Sequence, residues 1–488
     1  MSEFLSFAIP VLNSGFGNLA AYLAAHVLLC LLPAFFIAGA MSALIPQHAI
    51  TRFLGRDARK AVSYPAAAAA GSLLAVCSCT IVPLFAGIYR KGAGLGPAIT
   101  FLFFAPAANI LALVYTGGVI GPDLALARLA LSLVFGIGIG LLMATVFQRD
   151  EIRRLQTPDA SFAARHGDNM RPAALLFLIA WVILLLAGTL KLPFLNNAWF
   201  AFDLPLEGAS DAQRLLDRMV PYDVNKGEEG VSLQGAMLIV LLSAIGFTAW
   251  RGLEHIQDGV TGWTRASLLM IAATLAFAAL SVQATPDGIR IGVTGRAIAV
   301  SIALVGIYRI GRYRLSADDR QDWLWESWRF VKQIFPLLVA GVFVVGMVRA
   351  LIRPEWIETL AGSNSITANL AGVAFGVFMY FPTLVEVPVA RMFLDLGMHR
   401  GPLLAYLMSD PELSLQSILV ISAIIGKAKT AAYVGLVALF SAIAGMTYGA
   451  WVDGTPLLHL ALVLAAFTSA LWFAAHFAKR HFISIKGV

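Results

Sequence analysis

Residues 77–83 read Cys-Ser-Cys-Thr-Ile-Val-Pro, and the prolines and glycines of this region return 305 positions later in the chain. In the second copy, Phe-Pro-Thr-Leu-Val-Glu-Val-Pro at residues 381–388 takes the place of the dithiol. A duplicated apolar segment that Pro and Gly interrupt, with a different polar centre in each copy, is typical of a transporter core. The repeated residues are Pro83, Gly92, Gly96, Pro97 and Pro106, matched by Pro388, Gly397, Gly401, Pro402 and Pro411.

The composition indicates a membrane protein. The chain is 59% hydrophobic and only 13% charged, whereas soluble domains carry about 25% charged residues. Residues 4–51 contain no Asp, Glu, Lys or Arg. Further uncharged runs are long enough to cross a bilayer as helices, and they lack the alternation of barrel strands. The sequence therefore predicts an all-α polytopic protein embedded in the lipid bilayer.

The spacing of these runs predicts about twelve or thirteen membrane segments, some of them broken or re-entrant, in four regions. These are a first transmembrane repeat with the Cys-Ser-Cys motif at 20–148, an inserted block with about four spans at 149–328, a second repeat with the Phe-Pro-Thr-x-x-Glu-x-Pro motif at 329–450, and a closing helix with a cytoplasmic tail at 451–488.

The net charge of +7 does not indicate a nucleic-acid partner, because the basic residues lie in short loops between the spans. Loops 149–171 and 309–332 are rich in Arg and Lys, which predicts that both are cytoplasmic. If every segment crossed the membrane, however, the basic stretch at 52–60 and the lysines at 427 and 429 would lie outside. Either the positive-inside rule fails locally, or some motif segments are re-entrant hairpins.

Cys77 and Cys79 are the candidate ligands of a solute or a metal ion. At positions i and i+2 the two thiols reach one atom only from extended or unwound backbone, which the neighbouring Ser78 and Pro83 favour. Thiolates suit soft solutes such as trivalent arsenicals, Cu(I) or Zn(II). The pair could also cycle between dithiol and disulfide, or could simply let helices pack closely.

Glu386 is the matching polar centre of the second repeat, in a run without charge from residue 359 onward. A carboxylate at membrane depth is costly, which favours a functional role such as proton coupling or a counter-charge for a cationic solute. The alternative is a structural ion pair with Arg391 or with one of the lysines at 427 and 429.

Other polar residues stand at the breaks. Asn109 and Ser414 each follow a repeated proline by three residues and, with Thr383, are predicted to line a substrate path. Asp410 and Glu412 either face a cavity and take part in coupling or cap the N-terminus of a half-helix. The prolines expected to break the segments are Pro83, Pro106, Pro382, Pro388 and Pro411.

The chain resembles a known family at these motifs. Residues 77–98, with Ala105-Pro-Ala-Ala-Asn109, are similar to the first signature of the predicted permeases also called YraQ-like permeases. Residues 381–388, with Asp395-Leu-Gly-Met and Gly401-Pro, resemble the second. The resemblance implies a bacterial or archaeal inner-membrane permease related to exporters of trivalent organoarsenicals.

These observations predict a secondary-active permease that exports a thiophilic solute: a trivalent organoarsenical, a soft metal ion or a thiol compound. The alternative is a membrane thiol–disulfide redox protein that uses Cys77 and Cys79, although Cys30 is the only other thiol. We expect no enzyme activity and no cofactor, because the sequence has neither a phosphate-binding loop nor a His-Glu-x-x-His motif. A homo-oligomer is left open.

Overall fold

The computed structural model describes most of the chain: residues 2–25, 27–56, 58–73, 78–156, 171–190, 193–206, 208–223, 228–351, 353, 355–379, 385–456, 458–467 and 469–470. Helices make up nearly all of this part, which confirms the all-α class. Seven helices within it are long and apolar enough to cross a membrane, and one bent helix pair makes an eighth candidate. The protein is therefore a multi-pass membrane protein.

The N-terminal part runs from α1 to α9. A π-helical turn at Val27–Leu31 separates the first two helices. The bounds are α1 (Ser2–Ala25), α2 (Leu32–Leu44), α3 (Gln47–Leu54), α4 (Lys60–Leu73), α5 (Ser78–Arg90), α6 (Leu95–Ala107), α7 (Ile110–Val119), α8 (Pro122–Val146) and α9 (Gln148–Gln156).

The middle block contains further helices. It also contains two small sheets, which the sequence did not predict. The helices are α10 (Pro172–Thr189), α11 (Pro193–Asn196), α12 (Ala209–Met219), α13 (Leu233–Leu253), α14 (Gly262–Ala278), α15 (Gly295–Tyr313) and α16 (Ala317–Arg349). The strands are β1 (Ala198–Leu204), β2 (Tyr222–Asp223), β3 (Glu228–Glu229), β4 (Ser281–Thr285) and β5 (Gly288–Thr294). The first sheet is antiparallel with the order β1-β5-β4, and β2 pairs with β3.

The C-terminal part contains the helices α17 (Glu355–Ala361), α18 (Ile366–Phe378), α19 (Glu386–Asp395), α20 (Arg400–Leu413), α21 (Leu415–Ile425), α22 (Lys427–Val452) and α23 (Leu458–Phe467).

The chain divides into two compact units, and each is discontinuous in sequence. One unit combines residues 1–46 with 166–350, and the other combines 47–165 with 351–488. The boundaries of these units differ from those of the regions predicted from the sequence. Helix α2 and the membrane part of α16 belong to the first unit, whereas the sequence analysis placed them in the two repeats. The motif-bearing helices, α3 to α9 and α17 to α23, all lie in the second unit.

In the first half of the second unit, α4 and α5 form a segment whose two ends lie side by side. The backbone N–H of Gly94, which follows α5, donates to the carbonyl of Leu54, at the end of α3, over 2.8 Å. The segment from 60 to 90 therefore enters and leaves at the same end of the unit, as a re-entrant hairpin does. Residues 74–77, between α4 and α5 in the sequence, lie outside the described residues.

The second half repeats this arrangement. The N–H of His399, which follows α19, donates to the carbonyl of Ala361, at the end of α17, over 2.9 Å. His399 stands 305 positions after Gly94. The connections after the two hairpins turn at Gly92 and Gly397, which have φ angles of 94° and 92° that favour glycine.

The long helices α8 and α22 are antiparallel. Asp123, at the start of α8, accepts a hydrogen bond from the hydroxyl of Tyr448, near the end of α22. At the opposite end, Lys429 in the first turn of α22 contacts Glu151, which lies beyond the end of α8. The end that contains Glu151 and Lys429 also contains the connection after α5, because Arg154 donates to the carbonyl of Ala93.

This placement explains the charge conflict in the sequence. The basic residues before α4 and those at the start of α22 gather at one end of the unit, because Leu54 bonds to Gly94 and Lys429 to Glu151. This is the distribution of charge that the re-entrant alternative predicts.

The core of the second unit is a pair of close helix crossings. In the first half, α6 crosses α8 where Gly96 meets Gly140, and in the second half α20 crosses α22 where Gly401 meets Gly445. A Cβ atom at any of these glycines would collide with a neighbouring side chain or carbonyl. Both pairs are related by the same 305-residue offset, so the same packing occurs in both halves.

Candidate functional site

The centre of the second unit is built at two breaks in its helices. Between α6 and α7, the side chain of Asn109 caps α7 by accepting from the N–H of Ala112 at 2.8 Å. Between α20 and α21, Ser414 caps α21 by accepting from the N–H of Ser417 at 3.3 Å. The second break bends the chain by 47°. Both caps are almost completely buried, and each satisfies a donor that the break leaves free.

Arg128 of α8 reaches the first break and is fully buried. Its Nε donates to the carbonyl of Ala107, the last residue of α6, at 2.8 Å. Its Nη1 donates to the hydroxyl of Thr116 at 3.3 Å, and its Nη2 donates to Oε1 of Glu386 at 2.7 Å. The guanidinium thus binds two groups at once: a backbone carbonyl at the break after α6 and a carboxylate from the second half of the unit.

Glu386 is the first residue of α19 and is also fully buried. Two of the alternative partners considered from the sequence pair elsewhere: Arg391 pairs with Asp395, and Lys429 pairs with Glu151. The actual partner, Arg128, comes from the other half of the unit. The Oε2 atom of Glu386 has no hydrogen-bond partner within the described part of the chain.

A second buried carboxylate lies close to this pair. Glu412, in the last turn of α20, accepts from the hydroxyl of Tyr433 of α22 at 2.8 Å. It is near enough to Arg128 and Glu386 to interact with both charges. Its Oε1 atom, like the side-chain amide of Gln416, has no hydrogen-bond partner among the described residues.

The charges of this centre balance only if one of the two carboxyl groups carries a proton. With both carboxylates ionised, Glu386 and Glu412 carry two negative charges against the single positive charge of Arg128. An uncompensated charge at membrane depth is costly, so the centre is suited to exchange one positive charge with its surroundings. Unpaired carboxylate oxygens at a broken helix provide the acceptors for such an exchange.

The remaining candidates within the described residues have a defined place. Asp410 is buried in the last turn of α20, beside Pro411 and Glu412. Neither acid caps α21, since Ser414 does so. Pro83, Pro106 and Pro388 lie inside α5, α6 and α19, where each removes a backbone donor.

The thiol candidates are mostly beyond what the structure describes. Cys77, Pro382 and Thr383 lie outside the described residues. The backbones of Ser78 and Cys79 begin α5, but the positions of their side chains are not described. Across the described part of the chain there is no group of three or more His, Cys, Asp or Glu side chains that could hold a metal ion.

Sequence reasoning missed Arg128 and Tyr433. Asp123 and Arg128 are the only charged residues between 92 and 148, so a lone arginine in apolar sequence was an available signal. Tyr433 stands 305 positions after Arg128, and their side chains contact equivalent positions, Ala107 and Glu412. The two residues therefore approach the centre from equivalent places in the two halves.

Comparison with known proteins agrees with this architecture. The model of a family described as predicted permease matches residues 13–450. The UPF0718 protein MJ0584 of Methanocaldococcus jannaschii is 32% identical over 448 residues, which cover 92% of this chain and 98% of that protein. The UPF0718 protein YraQ of Escherichia coli is 28% identical over 122 residues, 25% of this chain and 34% of that protein.

No solved structure matches the chain. The family match extends over both hairpins, both helix breaks and the buried centre of Arg128, Glu386 and Glu412. The chain belongs to the predicted permease family.

Proposed function

We propose that this protein is a secondary-active permease of the bacterial or archaeal inner membrane that exports a thiophilic solute in exchange for protons. The solute classes are a trivalent organoarsenical, a soft metal ion or a thiol compound. The observation that carries the proposal is the buried centre in which Glu386 pairs with the single guanidinium of Arg128 while Glu412, also buried, pairs with the hydroxyl of Tyr433.

This centre supplies the coupling step. A proton on one carboxylate leaves a single ionised acid paired with Arg128, so the centre is neutral while it changes access. Release of the proton leaves an excess negative charge, which a cationic solute can neutralise. Proton and solute thus compete for the same charge, and this competition is the physical basis of antiport. Asp410, two residues before Glu412, is a further coupling candidate.

The arrangement of the hairpins supports alternating access. The hairpin α4–α5 opens at the end of the unit that contains Lys429, whereas the hairpin that ends in α19 opens at the end that contains Arg400. Because α8 is antiparallel to its counterpart α22, we infer that the two halves are an inverted duplication. Inverted repeats with broken helices around a midplane site are typical of secondary transporters, which rock one repeat against the other.

The thiols define the solute class. The backbone of Cys79 lies in the first turn of α5, Cys77 precedes it by two residues in the sequence, and soft solutes prefer thiolate ligands. Ser78, Asn109, Thr383 and Ser414 are proposed to line the same path.

Transport by the purified full-length protein in liposomes tests the proposal. Methylarsenite, arsenite, Cu(I), Zn(II) and a small thiol are offered with and without a pH gradient. We expect gradient-dependent flux of one solute, at least tenfold lower in C77S/C79S and uncoupled from pH in E386Q. C30S is the matched control, because Cys30 lies in the other unit and should leave the flux unchanged.

Each result has a distinct meaning. Full transport by C77S/C79S would remove the thiols from the solute site. Flux that persists in wild-type protein without any response to pH would contradict proton coupling. Turnover of a Cys77–Cys79 disulfide without flux of any solute would favour the redox alternative.

A further inference from the structure

A charged cluster joins the two halves of the second unit at the start of α8. Arg400 holds Asp123 through two contacts, from Nη1 at 2.8 Å and from Nη2 at 3.2 Å. The hydroxyl of Tyr448 donates to the same carboxylate at 2.7 Å. Asp123 comes from the first half, whereas Arg400 and Tyr448 come from the second. These three residues are called the Asp123 cluster.

A second charged cluster joins the two halves beyond the end of α8. The carboxylate of Glu151 accepts from the hydroxyl of Tyr89 at 2.7 Å and lies 3.3 Å from the ammonium group of Lys429. Its other oxygen lies 2.9 Å from the guanidinium of Arg154, which covers the ring of Tyr89. Lys429 belongs to the second half, and the other three belong to the first. These four residues are called the Glu151 cluster.

The two clusters lie at opposite ends of the unit. Helix α8 has 25 residues, about 37 Å of helix, which is longer than the roughly 30 Å hydrocarbon thickness of a bilayer. The Asp123 cluster is at its first turn, and the Glu151 cluster is beyond its last turn. The buried pair of Arg128 and Glu386 lies between them.

We propose that the Asp123 cluster and the Glu151 cluster are the two gates of the transport path, which open in alternation. This inference rests on the proposed function, because alternating access requires the contacts between the halves to separate at one end while they hold at the other. Both clusters are closed here, so the structure corresponds to a state shut at both ends.

Exposure distinguishes these clusters from the central pair. The side chains of Arg400 and Asp123 are 33% and 29% exposed, those of Lys429 and Glu151 are 12% and 4% exposed, and those of Arg128 and Glu386 are 0% exposed. Water can replace partners at the Asp123 cluster when the halves separate, so opening there has a low cost. At the Glu151 cluster, water reaches the cations Lys429 and Arg154 rather than the carboxylate. The central pair has no such replacement.

The positions of the basic residues indicate on which side of the membrane each gate lies. Arg154 and Lys429, together with the basic stretch before α4, make the end with the Glu151 cluster the positive one. The positive-inside rule therefore makes the Glu151 cluster the cytoplasmic gate and the Asp123 cluster the external gate.

Labelling of a cysteine placed between the gates tests this. Ala107→Cys is introduced next to Arg128 in a full-length protein whose three native cysteines are replaced by serine. A membrane-impermeant maleimide is then applied to right-side-out and inside-out vesicles. D123N should raise the labelling rate from outside, and K429Q should raise it from the cytoplasmic side. We expect about two- to fivefold, the change that loss of one partly exposed ion pair produces.

The controls separate gating from misfolding. D203N removes an exposed ion pair with Arg290 in the other unit and should leave labelling from both sides unchanged. E151Q replaces K429Q if the latter variant does not elute as a folded protein. Faster labelling from the same side in both gate variants, or no change in either, would overturn the proposal. Because labelling requires no solute flux, this outcome is independent of the transport test.

Discussion

The guanidinium of Arg128 and the carboxylate of Glu386 lie 2.7 Å apart, 258 residues apart in sequence, and neither side chain is exposed. The pair connects the two halves of the second unit at the point where α6 breaks. The position of each partner is also fixed by a second feature. Arg128 donates a hydrogen bond to the carbonyl of Ala107, and Glu386 is the first residue of α19. The pair is therefore both a structural contact between the halves and the charged centre of the proposed path.

Removal of one partner of this pair should destabilise the protein strongly. R128M leaves the carboxylate of Glu386 buried without a counter-charge, so we expect a loss of about 3–5 kcal/mol in the free energy of unfolding. The double variant R128M/E386L should recover most of this stability but no transport. Denaturant unfolding in detergent and flux in liposomes measure the two effects. If R128M were as stable as the wild-type protein, Arg128 would not compensate this charge.

Glu412 and Tyr433 should behave as a coupled pair. Y433F removes the hydroxyl that donates to Glu412 and should cost about 1–3 kcal/mol, because the buried carboxylate oxygen loses its partner. In a double-mutant cycle with E412Q, the two losses should sum to more than the loss in the double variant. Additive losses would show that the hydrogen bond contributes nothing beyond packing.

Substitutions of the two capping residues can distinguish a structural role of these residues from a role in transport. N109A and S414A should each lose about 0.5–2 kcal/mol of stability, because a cap of a buried helix end disappears. N109S and S414N keep a capping side chain and should restore the stability. If these capped variants also change the preferred solute, both residues line the path; unchanged selectivity would restrict them to capping.

The close helix crossings should not tolerate an added methyl group. A Cβ at Gly140 or Gly445 would overlap the hydroxyl of Thr100 or the amide of Asn369, so alanine at either position should cost about 1–3 kcal/mol. Gly246, inside α13, has nothing within 4 Å of an added Cβ and is the matched control. G246A should be neutral or slightly stabilising, because alanine has the higher helix propensity. Similar unfolding midpoints for all three variants would argue against the tight crossings.

Acid should weaken one contact at the end of α13. Hydrogen bonds from Lys332 and then from Trp328 lower the pKa of Glu254 below its usual value. A carboxyl group whose pKa is lower in the folded state contributes stability that is present above its unfolded pKa and is lost as the pH falls. The difference in thermal stability between the wild-type protein and E254Q should therefore shrink below about pH 5. A difference that is constant from pH 7 to pH 4 would contradict this.

The sequence by itself determined the class of the protein and the location of its breaks. Long uncharged runs require helices, because a bilayer offers no partner for free backbone groups. Pro106 and Pro411 indicated interruptions in those helices, and the 305-residue offset predicted two copies of one interrupted segment. Glu386 was identified as the polar centre because a carboxylate in such a run is costly without a role.

Only the tertiary structure decided which groups meet. Arg128 and Glu386 come together because two halves far apart in sequence pack with α8 antiparallel to α22, and no local pattern contains that information. The sequence offered re-entrant hairpins as one of two explanations of the loop charges. It could not choose between them, since hydropathy measures the length of an apolar run and not the end at which the run leaves. The grouping of α2 and α16 with the middle block follows from helix packing, which depends on the shapes of side chains brought together in space.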